Sequence, residues 1–313
     1  MGQLDLSSNS LISHPDVFAD IINVVIYNGE TVLKEKHLRP FYQNSSTAKH
    51  NRKLKGLYRD NCMEDIRNGL RYVIWGIESQ YVPDQTTPIK VMGYDYTAYD
   101  RQIEEFKAHN KNNEIETYVN VLMPGQKIKP VITLVLYYGT DDIPDRITAM
   151  MDIPKDDAIR KYIQDYRLNM IRLRDFSMEQ AALFRSDFAF IAKFLSKSYN
   201  KNKQLEELRN SQQVLIHTKD TLFTLAAITR DTRYLKISET SKEESEVCEI
   251  AEALEKIGYE QGAHLEREKG IQSTIEVCRE LNVERDAVFE KLSEKYHLES
   301  WAAAEYMDKY WGN

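Results

Sequence analysis

The stretch Pro130–Gly139, PVITLVLYYG, restricts the fold of this chain more than any other. It is an unbroken apolar run of strand length, closed by a proline and a glycine. Such a run suits a central strand buried on both faces. A strand of that kind needs covering layers on either side, and helices supply them in α/β folds. Its longest uninterrupted part, Val131–Tyr138, is far too short to span a bilayer.

The neighbouring segments agree with a mixed α/β body. In Pro15–Asn28, apolar Val17, Phe18, Ile21, Ile22, Val25 and Ile26 recur at helical spacing; Pro15 suits the first turn and Asn28-Gly29 the stop. Glu30–Lys55 reads as irregular connection. Gly56–Ile66 and Leu70–Gln80 flank Asn68-Gly69, a strong short hairpin signal. Ile89–Lys107 reads as a helix, Asn110–Asn113 as a turn, and Glu114–Met123 as a strand or short helix. Tyr166–Leu173 suits another strand, and Met178–Tyr199 an amphipathic helix. Beyond residue 200 no strand is expected. Gln204–Thr229 reads as helical. Thr240 and Glu243 have capping-box spacing before a long acidic helical pattern, punctuated by Gly258, Gly262 and Gly270 and running to about Leu281. Two short helices, Asn282–Tyr296 and Ser300–Trp311, close the chain. The expected division is therefore an α/β domain over 1–200 and an all-helical region over 201–313.

Charge narrows the partners. The 42 basic and 49 acidic residues give a net charge of −7. That excludes a uniformly basic nucleic-acid coat but leaves room for a local patch. One basic cluster, Lys49, Arg52, Lys53, Lys55 and Arg59, has no acid within it. Cys62, Cys248 and Cys278 form no CxxC or Cys/His cluster, which points to a reducing compartment and packing roles. The polar start of the chain lacks an apolar signal core. Together these features predict a cytoplasmic protein without a membrane segment.

The hairpin carries the chemistry. With its turn centred on Gly69, Asp60 falls opposite Glu78, and Gln80 shares the Glu78 face. A two-residue Asn68-Gly69 turn sets Arg59 opposite Glu78 instead, and the sequence leaves both registers open. Facing carboxylates repel, so a shared proton or a divalent metal must neutralise them. Two carboxylates with open positions for water and phosphate oxygens suit Mg²⁺ or Mn²⁺.

The surrounding strings add a resemblance. YRD at 58–60, IWGIESQ at 74–80, PIKVMGYDYTAY at 88–99 and PVITLVLYYG at 130–139, in that order, resemble the recombination-promoting nuclease family, also called the YhgA-like transposase group. FADIINVVIYNGE at 18–30 is similar to that family's opening helix, and the glycine-punctuated tail resembles its end. The resemblance covers most of the chain. It implies a PD-(D/E)XK, restriction-endonuclease-like core with a mixed central sheet between helices, and a metal-dependent DNA endonuclease linked to recombination or mobile elements. Asp60 and Glu78 match the two acidic metal positions, and the Ser79 carbonyl completes the inner shell. Gln80 stands where the superfamily usually carries Lys; it brings hydrogen bonds but no charge. Asp20 resembles a helix acid that approaches the metal. Lys90 stands where relatives have Arg and is expected to supply the missing cation, as a point charge rather than a fork. Lys53, Lys55 and Arg59 are candidate phosphate contacts. Tyr94 and Tyr99 read as packing residues. Two other readings stand beside the nuclease: a catalytically weak or inactive DNA-binding or assembly protein on the same fold, and a helical module that self-associates through residues 200–313.

Overall fold

A computed structural model of the chain describes residues 10–41, 61–112, 122–197 and 204–311. It resolves into two compact units, Met1–Gln204 with Gln213–Glu246, and Leu205–Gln212 with Val247–Asn313.

The first unit is built on a five-stranded sheet of β1 (Leu38–Pro40), β2 (Asn61–Arg67), β3 (Leu70–Gln80), β4 (Val131–Tyr137) and β5 (Asn169–Arg172), in that spatial order. β1, β2 and β3 pair antiparallel, while β3, β4 and β5 run parallel. The sheet is therefore mixed. The parallel step from β3 to β4 is made through helix α2 (Thr87–Asn112). Parallel strands cannot be joined by a tight turn and need such a crossover.

Helix α1 (Pro15–Tyr27) buries Val17, Phe18, Ile21 and Ile22 and ends on Asn28 in the left-handed conformation, as its sequence predicts. Its Asn23 carboxamide donates to Leu33 O and accepts from the amides of Val32 and Leu33. That buried amide welds the helix to the connection leading into β1.

Both hairpin registers occur, in different places. Asn68 and Gly69 have positive φ, as a type I′ turn requires. Next to the turn, Arg67 pairs with Leu70 and Ile66 with Arg71. A bulge follows, and from Asp65↔Val73 to Asn61↔Ile77 the pairing is shifted by one. The extra residue, Tyr72, lies on β3. Bulges re-aim side chains, and here Arg71 reaches both Glu64 on β2 and Glu105 on α2. Behind the bulge, the fully buried Asp65 carboxylate is met by the Arg67 guanidinium at 2.8 Å. Removing one partner of a buried pair strands the other charge. Arg67 is partly solvated, which softens the loss, so Arg67→Ala is expected to cost about 2 kcal/mol, read as a lowered denaturation midpoint at unchanged slope.

Helix α2 covers one face of the sheet. Its Val91 packs with Val135 and Leu168, and its Ala98 with Ile74, Cys62 and Val131. Tyr94 and Tyr99 pack into these same clusters, in line with their expected roles. Trp75, Ile77, Leu134 and Leu136 on the other face are equally buried. β4 is thus covered on both sides, as its unbroken apolar run requires.

Several expectations beyond residue 170 need correction. Met178–Tyr199 is not one helix: a capped turn at Met178–Ala181 is separated from α3 (Phe188–Leu195). The Asp20 carboxylate takes the amides of Arg185 and Ser186, which a continuous helix needs for itself. Gln204–Thr229 is likewise divided, into Gln204–Arg209, the two-residue strand β6 (Val214–Leu215) and α4 (Thr218–Thr229). β6 pairs with β7 (Ser245–Glu246), so strands do occur beyond residue 200. Thr240 caps nothing downstream; it closes α5 (Arg233–Thr240), with its hydroxyl donating to Ile237 O.

Nor does the division fall at 200. Residues 213–246 belong with the sheet, because α4 packs on α3 and two His–Asp contacts tie it to the first helix. His14 meets Asp220 at 2.7 Å, His217 meets Asp16 at 3.1 Å, and the two imidazoles stack 3.6 Å apart.

The second unit contains α6 (Val247–Glu280), α7 (Arg285–Tyr296) and α8 (Ser300–Tyr310). Ile271, Ile275, Val288, Leu292 and Met307 form its core. α6 runs unbroken through its glycines. At Gly270 the reason for glycine is visible, since a Cβ there would crowd the Tyr296 hydroxyl at 3.1 Å. Among the described residues, no helix is long and apolar enough to cross a membrane, and no cysteine forms a disulfide.

Candidate functional site

Glu78, Ser79 and Gln80 form the carboxyl end of β3, beside Val135, Leu136 and Tyr137 of β4. Strict alternation from Ile74 places Glu78 and Gln80 on the face covered by α2. Glu78 is half-buried there and Gln80 is buried. The ends of parallel strands are where open α/β sheets bind ligands.

Asp60, Lys53, Lys55 and Arg59 lie outside the described residues. From Asn61↔Ile77 to Asp65↔Val73 the strands follow the register of a turn centred on Gly69.

Gln80 is committed within the chain. Its Nε2 donates to Val82 O at 2.5 Å; its Oε1 lies 3.4 Å from the Thr87 hydroxyl, whose proton goes to Asp84 O at 2.7 Å. The bond to Val82 fastens the strand end to the turn that leads into α2. One amide hydrogen remains for a ligand.

Lys90, expected to supply the cation that Gln80 lacks, has a partner within the chain. It is ion-paired with Asp84, on the turn between β3 and α2. The spacing of Asp84, six residues upstream and just before the helix, brings the carboxylate back over the first turn. Asp84 Oδ1 also accepts from the amide and hydroxyl of Thr86, at 2.8 and 2.6 Å. Burial pushes the Asp84 carboxyl up, but the bonds from Lys90 and Thr86 outweigh it and hold the pKa at about 2. A carboxyl with a depressed folded-state pKa stabilises fully above its ordinary value of 3.8. That contribution is lost as pH falls from there through about 2. A carboxyl-carbon NMR titration is expected to place the Asp84 midpoint near 2. In Lys90→Met it should move back toward the ordinary range, and an unmoved midpoint would contradict the pairing.

Asp20, expected near the metal, is hydrogen-bonded within the chain. Its Oδ2 accepts from Arg185 N, Ser186 N and the Ser186 hydroxyl, at 2.9, 2.8 and 2.7 Å. It lines a cavity of about 550 Å³ with Asp16, Thr31, Lys34 and Lys36, and no residue of β3 or β4 contributes to the walls. The carboxylate anchors a loop.

Two features of the site escaped the sequence. Asp95, on α2, accepts from the Thr133 hydroxyl of β4 and from the Tyr166 hydroxyl, both at 2.5 Å. A buried acid in a helix of mixed polarity carries no local signal, because its partners lie 38 and 71 residues away. Arg172 closes β5 directly in line with Tyr137 and Gln80. Only the three-strand register brings those residues into one row.

Among the described residues, no group of three or more His, Cys, Asp or Glu side chains is placed to hold a metal ion. The chain matches no protein-family model, no curated protein and no solved structure.

Proposed function

We propose that the chain is a divalent-metal-dependent DNA endonuclease on a PD-(D/E)XK core, hydrolysing phosphodiesters with activated water. The observation that carries this reading is the shifted pairing of β2 with β3. It is the register that an Asp60–Glu78 carboxylate pair requires, and Glu78 lies half-buried at the end of a strand that continues in parallel. Hard oxygen donors at that end, beside a lysine already neutralised by Asp84, suit a small divalent cation such as Mg²⁺ or Mn²⁺. Asp60, Glu78 and the Ser79 carbonyl would hold it. When bound, such an ion polarises a phosphoryl oxygen and lowers the pKa of water. Gln80 keeps the strand end tied to the turn before α2 and offers its remaining amide hydrogen to water or phosphate.

Titration calorimetry with Mn²⁺ tests the site. One saturable event is expected in the wild-type protein, lost in both Asp60→Ala and Glu78→Ala. Equal binding by all three proteins would remove the site.

A second reading, a DNA-binding or assembly protein without catalysis, is favoured by one observation: Gln80 and Lys90 are both engaged by neighbours in the chain. DNA binding with no metal-dependent cleavage would select it.

A further inference from the structure

We infer that the end of β5 supplies the phosphate-binding cation of this site, and that Arg172 is that residue. The inference rests on the nuclease reading for its ligand, a phosphate of a nucleic-acid backbone. Among the described residues, the site as read from β3 and α2 lacks a free positive charge. Gln80 has none, and Lys90 is neutralised by Asp84.

The parallel register supplies an alternative. Gln80 pairs with Tyr137, and Tyr137 pairs with Arg172. Paired residues point to one face, so the three side chains form a row across the strand ends, on the Glu78 side of the sheet. With strands about 4.8 Å apart and about 3.3 Å between residues along each, the Arg172 Cα stands roughly 12 Å from that of Glu78. That separation suits a phosphate flanking the scissile one.

The row is built to present a guanidinium. The Tyr137 ring is fully buried, and the Arg172 guanidinium lies over it, 5.3 Å from its centroid. Tyr137 in turn folds back onto Gly139, where any Cβ would collide with its hydroxyl. Glycine after the strand therefore sets the platform on which the arginine rests. The polar contacts of Arg172 are loose. Nη1 donates to Asp141 O at 3.4 Å, and Nη2 lies 3.6 Å from the carboxylate of Asp142, which is fully exposed. A solvated pair of that length contributes little, so a phosphate displaces Asp142 at small cost. A stacked planar fork is also the form best suited to phosphate oxygens.

The test separates this inference from the nuclease reading. Inorganic phosphate is titrated into the wild-type protein while the Arg172 Nε resonance is followed by NMR. A saturating shift is expected, and its absence overturns the site even if the protein cuts DNA. If the shift saturates while plasmid stays intact with Mg²⁺ and Mn²⁺, the nuclease reading fails and the phosphate site stands. Binding of a short DNA duplex in Ca²⁺ gives a second readout. Arg172→Ala should weaken affinity about tenfold. It should also lower the slope of log affinity against log salt by about one. Arg172→Lys should recover the slope without full affinity, because it restores charge but not the fork. Arg285→Ala, in the second unit, should leave both unchanged. Thermal melting confirms that the Arg172 variants fold. Unchanged affinity and slope in a folded Arg172→Ala protein would overturn the inference.

Discussion

Glu78→Gln is expected to reduce Mg²⁺-dependent nicking of supercoiled plasmid by about three orders of magnitude. The substitution keeps the side-chain volume and one carbonyl oxygen but removes the negative charge. Glu78 is half-buried on the α2 face, so bulk water does not make good the lost ligand. A carboxylate that holds a divalent ion against a phosphoryl group accounts for several kcal/mol of transition-state stabilisation. At 1.36 kcal/mol per decade, about 4 kcal/mol gives that loss. The fold should survive, because Gln satisfies the same space at the end of β3. Single-turnover nicking rates, alongside a thermal melt, make the measurement. A rate within threefold of wild type would show that Glu78 holds nothing essential.

Asp95→Ala should be the most destabilising single change around the site, costing about 3–4 kcal/mol. Asp95 is 8% exposed and bridges three elements. Its two oxygens take the hydroxyls of Thr133 on β4 and Tyr166 ahead of β5. Truncation deprives the buried Thr133 hydroxyl and the half-buried Tyr166 hydroxyl of this acceptor, at about 1–3 kcal/mol for the first and less for the second. In a unit of this size, the melting temperature should fall by roughly 8–12 °C. Asp95→Asn retains one acceptor oxygen and should lose about half as much. The same bridge clamps α2 to the sheet, and α2 carries Thr87 and Val91 over the site. Nicking by Asp95→Asn, measured well below its melting temperature, should therefore fall more than its stability does. A melting temperature unchanged in Asp95→Ala would show that the clamp is idle.

The parts of this protein that could be read from its sequence are those whose signals are local. The apolar run 131–137, the helical face of α1 and the Asn68-Gly69 turn each state their structure within a few residues. β4, α1 and the type I′ turn follow from them. Helix 87–112 and the two closing helices are similarly self-declared, with ends displaced by a few residues. What stayed hidden depends on distant partners. The hairpin offered two registers because a bulge at Tyr72 uses both, and a bulge has no consensus letter here. Met178–Tyr199 has helical periodicity, but Asp20, more than 150 residues upstream, claims two of its amides. The pair β6–β7 joins segments some thirty residues apart, and the contacts of His217 with Asp16 and of Asp220 with His14 reach some two hundred residues back to tie 213–246 to the sheet unit. Within the site, Glu78 and Gln80 were legible through alternation on β3, whereas the fate of Lys90 depended on Asp84 folding back over the helix start. Arg172 reaches the row only through two successive parallel registers.

On the proposed reading, this chain cleaves DNA with a divalent ion held by Asp60 and Glu78. Incubation of purified full-length protein with supercoiled plasmid, in Mg²⁺, in Mn²⁺ and in EDTA, tests it most directly. Nicked and then linear product is expected with either metal, with none in EDTA and none from Asp60→Ala. Plasmid left intact by wild-type protein in both metals, or cut equally by wild type and Asp60→Ala, would contradict it.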